Sequence, residues 1–80
     1  MTPIRSRANP FFKELKRLAE SGRERRKRGR SLLDGVHLIA AYEAAYGPVE
    51  TLVVSESALT GGEIAVFVAG RNMTVLADSL

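Results

Sequence analysis

The 80-residue chain has no cysteine, no tryptophan and a single histidine, His37. Without thiols there is no disulfide, no thiolate nucleophile and no cysteine-ligated zinc or iron–sulfur site, and one imidazole cannot hold a metal by itself. A reducing compartment is compatible with this composition, and a cytoplasmic setting is expected. Apolar runs reach at most six residues, at Ile64 to Ala69, too short for a membrane span or a secretory core. A soluble domain without a membrane partner is therefore expected. A mitochondrial presequence is also basic at its start, but Glu14, Glu20 and Glu24 interrupt that pattern. No nucleophile and base can be paired, no two carboxylates are closely spaced, and Gly61-Gly62 lacks the spacing of a phosphate loop. Catalysis within these residues is not expected.

Charge is abundant but segregated. Residues 1–30 hold eleven of the twelve Lys and Arg against three carboxylates, a net charge of +8. Residues 31–80 hold only Arg71 against six carboxylates, a net charge of −5. A dipole of this size is not required to fold a small domain, and it favours approach to a polyanion. A chain this short encloses one core and buries roughly 60–65 % of its unfolded surface, so a single domain is expected.

The pattern along the chain predicts alternating helices and strands. Residues 1–8 read as an extended basic lead-in that orders only against a partner, and residues 9–80 as the domain. Asn9 is a good N-cap and Pro10 suits the first helical position; Phe11, Leu15 and Leu18 then recur at helical spacing, fraying near Ser21-Gly22. The run Arg23 to Arg30 is too charged for the core. Ser31-Leu32-Leu33 reads as a short strand, and Asp34-Gly35 as its turn into a second helix, with Asp34 the candidate N-cap. Val36, Ile39, Tyr42 and Tyr46 mark that helix, which Gly47-Pro48 stops. Val49 to Ser55 reads as a buried strand, residues 63–69 as a third helix and Met73 to Leu76 as a third strand. The order α, β, α, β, α, β implies a mostly parallel sheet with helices on both faces. A chain ending just after a strand, at Leu80, suggests the amino-terminal domain of something longer.

The basic run carries the strongest local signal. Each cation that neutralises a phosphate releases counterions, and arginine, which outnumbers lysine nine to three, also binds phosphate bidentately or stacks on exposed bases. Phe11, Phe12 and Phe67 read as core, and Tyr42 and Tyr46 as packing on a helix face. The free N–H groups of Gly35, Val36 and His37 form a candidate anion site, for which Asp34 competes if it caps them. His37 is either a surface or packing residue or an imidazole that meets a nucleotide.

Ser6, Asn9 to Lys13, the basic stretch with Arg26 and Gly29, and Leu32 to Gly35 followed by Leu38, Ile39 and Ala44 form an ordered set. It resembles the substrate-binding domain that precedes the catalytic domain in the SpoU family of RNA ribose 2′-O-methyltransferases. Asp34 stands where that family usually has Glu, and Ser31 where a bulky apolar residue is common. The resemblance implies a small three-layer α/β sandwich similar to ribosomal proteins that recognise kinked RNA. It implies RNA as partner, rRNA or tRNA, and S-adenosylmethionine as the cofactor of a separate catalytic domain, with none held here. It also implies a monomeric domain within a homodimeric parent. Arg5, Asn9, Lys13, Arg25, Arg26, Arg28, Arg30, Gly35 and His37 are the candidate RNA-binding residues, and Asn9 has a sufficient structural role as a cap. A free-standing ribosomal-protein-like RNA binder is the alternative, and a basic surface that docks an acidic protein a third reading.

Overall fold

In the computed structural model, which describes residues 2–80, four helices accompany a two-stranded parallel sheet. The helices are α1 (Pro10–Glu20), α2 (Gly22–Arg28), α3 (Val36–Tyr46) and α4 (Gly62–Val68), and the strands β1 (Val53–Ser55) and β2 (Thr74–Leu76). The chain is a small α/β domain, flat in outline at 35 × 34 × 16 Å.

The second half is a strand–helix–strand unit. β1 pairs with β2 in parallel, Val54 opposite Val75, and the crossover runs through a 3-10 turn at Ser57–Thr60 and α4. Leu52, Val54, Val68 and Val75 form the buried core, with Ile39, Val49, Phe67 and Met73 against it. These are the β-branched and apolar positions of the two strands and the inner face of α4, so burial follows the sequence periodicity. Arg71, the only cation of this half, donates to Glu43 at 2.6 Å and lies over the Phe67 ring at 4.9 Å. Glu43 also accepts from the Val49 backbone N–H at 3.0 Å. One carboxylate thus ties α3 to the turn after α4 and to the approach to β1.

The first half is a helical arm. Asn9 caps α1 as expected, its Oδ1 accepting from Phe12 N–H at 3.1 Å. The basic run forms α2, an element that the apolar spacing does not predict. Ser21 ends α1 and begins α2, its hydroxyl accepting from Glu24 N–H at 3.2 Å, the first half of a capping box. Gly29, in the left-handed region at φ 65°, closes α2. The Arg30 N–H reaches Arg25 O and the Gly29 N–H reaches Arg26 O, the paired bonds of a Schellman ending. Seven residues are too few for a stable helix alone. α2 persists because it packs on α1 and because Arg25 donates to Leu18 O at 2.6 Å, supplying a donor to the open end of α1.

Three further expectations are corrected. The Leu32-Leu33 stretch forms no strand: Leu32 is exposed, and the segment faces β1 across an open groove instead of pairing with it. Asp34 does not cap α3. That place belongs to Gly35, at φ 101°, and α3 has no side-chain cap, because glycine carries no side chain to accept from the first turn. The opening segment orders internally, since Ile4 bridges to Leu76 through its N–H to Val75 O and its carbonyl from Ala77 N–H, both 2.8 Å. An edge of β2 was available, and an extended peptide satisfies its backbone there. Tyr42 and Tyr46 pair with each other, ring centroids 5.1 Å apart, on an exposed face of α3, which buries none of its residues.

Candidate nucleic-acid interface

Helical geometry sorts the cations of the arm into two sets. On α1, Lys13, Lys16 and Arg17 fall on one face, opposite the side where Phe11, Leu15 and Leu18 turn inward. Lys13 and Arg17 are one turn apart, about 6 Å along the axis. On α2, Arg23, Arg26 and Lys27 are exposed. Among the described residues, Lys13, Arg17, Arg23, Arg26 and Lys27 have no carboxylate within salt-bridge distance, and Lys16 has only Glu20 at 3.9 Å. Charges left without an internal counter-ion on adjoining helices make an electropositive surface.

The second set is occupied inside the protein. Arg28 meets Glu24 at 3.1 Å and Glu14 at 3.3 Å. Arg30 reaches Glu14 at 3.1 Å and Glu50 at 2.9 Å, joining α1 to the stretch before β1. The Arg28 hydrogen bond holds the Glu24 carboxyl below its ordinary range. Arg25 serves the α1 carbonyls, and Arg5 pairs with Glu56 at 2.9 Å. Beneath Arg30 lies an open groove of about 1380 Å³, lined by Phe11 and Leu15 of α1, Leu32 and Leu33, and Thr51 and Val53 beside the sheet.

The chain matches the model of the MRM3-like substrate binding domain over residues 9–79, which takes in the whole arm, the groove and the sheet. The chain belongs to that family. MRM3-like substrate binding domains are parts of RNA methyltransferases, which implies RNA substrate recognition for the domain. Among curated proteins and among solved structures, nothing matches the chain.

Within this MRM3-like domain the nine candidate positions separate into groups. Lys13 and Arg26 lie exposed on the arm, Arg25, Arg28 and Arg30 share the arm but are engaged as described, and Arg5 lies off the arm in its pair with Glu56. Asn9 is engaged as the α1 cap. Gly35 and His37 lie at the start of α3, where the His37 side chain is 93 % exposed with Nε2 3.2 Å from Glu63 on α4, so it contributes nothing to packing. Lys16, Arg17, Arg23 and Lys27 belong to the exposed basic surface but were not singled out from sequence. The signal was present for Lys16 and Arg17, which follow Lys13 at helical spacing. For Arg23 and Lys27 it lay in the unrecognised spacing of Ser21 and Glu24, which marks a helix start. Among the described residues no metal-ligand cluster occurs, and no helix is long and apolar enough to cross a membrane.

Proposed function

We propose that this domain recognises structured rRNA or tRNA for ribose 2′-O-methyl transfer by a separate, S-adenosylmethionine-dependent catalytic domain, residues 9–80 forming the recognition unit and residues 1–8 its lead-in. The observation that carries the reading is the arm. Six cations, Lys13, Lys16, Arg17, Arg23, Arg26 and Lys27, face outward on two consecutive helices, five of them with no acidic partner among the described residues. Phosphates replace the solvent counter-ions there, with a salt slope of roughly −0.7 per contact on single-stranded RNA. The family match supports RNA as the polyanion, and the excess of arginine supports loops or kinks whose bases are accessible. Asn9, Gly35 and His37 border the bound strand in this reading, and a homodimeric parent places two such arms. The three-layer architecture of small kinked-RNA-binding proteins belongs to the same proposal.

The test is titration of a labelled rRNA hairpin with the 80-residue chain between low and moderate salt. Tight, salt-steep binding that charge reversal at Arg26 and Lys27 abolishes is the expected result. Affinity unchanged by that reversal would overturn the assignment. The chain alone transfers no methyl group in this reading, so methylation by it in the presence of S-adenosylmethionine would overturn the division of labour.

A further inference from the structure

Arg28 and Arg30 differ from the other arginines of the arm in being bound by carboxylates that are themselves partly solvent-accessible. Glu14, at the centre, accepts from both arginines, while Glu24 holds Arg28 from within α2 and Glu50 holds Arg30 from the body. The side chains of Arg28, Arg30 and Glu50 are 36 %, 49 % and 69 % exposed, and those of Glu14 and Glu24 33 % and 29 %. Ion pairs this open are weak, because water and salt screen them and both long side chains lose freedom to form them. A phosphate chain lying on the adjoining cations of α2 presents a denser array of negative oxygens, and arginine binds phosphate bidentately.

Resting on the RNA-recognition reading, we infer that Arg28 and Arg30 are exchangeable phosphate ligands: in the free domain Glu14, Glu24 and Glu50 hold them as internal counter-ions, and bound RNA takes them over. The carboxylates then act as a threshold. They cancel part of the arm's charge toward diffuse polyanions and yield only where phosphates reach both arginines together. Because Glu14 belongs to the arm and Glu50 to the body, the exchange also removes the Arg30 bridge between them.

The salt dependence of RNA binding distinguishes exchange from a fixed clasp. Four versions of the chain, wild type, Arg28→Gln/Arg30→Gln, Glu14→Gln/Glu50→Gln and Glu20→Gln as a charge control, are titrated with one labelled rRNA hairpin across salt concentrations. Exchange predicts that removing both arginines flattens the slope by about 1.4, two contacts' worth. Removing the two glutamates leaves the slope at the wild-type value and tightens binding about fivefold beyond the Glu20 control, the scale of one strong surface pair. An unchanged slope in the arginine variant, or a steeper one in the glutamate variant, shows the arginines staying on their carboxylates in the complex and overturns the inference while leaving RNA recognition intact. Salt-independent or absent binding by all four overturns both. Each variant's helix content by circular dichroism identifies loss of fold, and the glutamate pair, which deletes no arginine, carries the test if the arginine pair unfolds.

Discussion

The arm and the body of this domain are held together by different physics. The body, α3, α4 and the two strands, is organised around buried Leu52, Val54, Val68 and Val75, with one internal clamp from Arg71 to Glu43. The arm, α1 and α2, buries only Leu18 and relies on caps, a serine shared between helices and guanidinium contacts. Apolar burial is indifferent to the charge of a partner, whereas an arm held by polar contacts keeps its charged face available. Under the proposed function, the difference puts stability in one half and recognition in the other.

The comparison is broken most severely from the body. Leu52→Ala, at 7 % exposure, removes a core side chain and is expected to cost about 3 kcal/mol by denaturant titration, with the arm's cations untouched. A loss of RNA affinity per folded molecule in that variant would show the two halves to be inseparable. Next in size, neutralising Arg17, Arg26 and Lys27 together is expected to weaken hairpin binding at least about tenfold at moderate salt and to flatten the slope by about 2, with thermal stability near wild type. Smaller still, Asn9→Ala deletes the α1 cap and is expected to cost about 1 kcal/mol, seen first as faster hydrogen exchange in α1 and α2 rather than in the sheet. The least effect is expected from acid. Glu43 is held below its ordinary value of 4.5, first by the Arg71 hydrogen bond and then by the Val49 N–H. Its contribution is therefore complete above that ordinary value and is lost as pH falls through the lower folded one. Glu43→Gln should remove that part of the acid sensitivity of unfolding, measured between pH 5 and about 2.

Much of the fold was legible because its signals are local. The Asn9-Pro10 start, the apolar spacing of α1, the Gly47-Pro48 stop and the β-branched stretch at Val53-Val54 each act within a few residues, and each element is present. The errors fall where the outcome depended on something distant or on a cap misread. Leu32-Leu33 has the composition of a strand, but a strand forms only when a neighbour supplies its hydrogen bonds, and here the groove separates it from β1. Arg23 to Arg28 was read by its charge, although Arg, Glu and Lys all favour helix and Ser21 and Gly29 bracket them as caps.

The sequence by itself determined the partition of charge, the absence of thiol chemistry, and the family pattern running from Asn9 onward, since these depend on which residues are present and in what order. Only the tertiary structure decided which cations face outward without a counter-ion and which are spent on Leu18, Glu14, Glu24, Glu50 or Glu43. Residues far apart in the chain, such as Arg30 and Glu50, become partners only when folding brings them within ion-pair distance, 2.9 Å here. A charge's availability to RNA is a property of that proximity, not of its position in the chain.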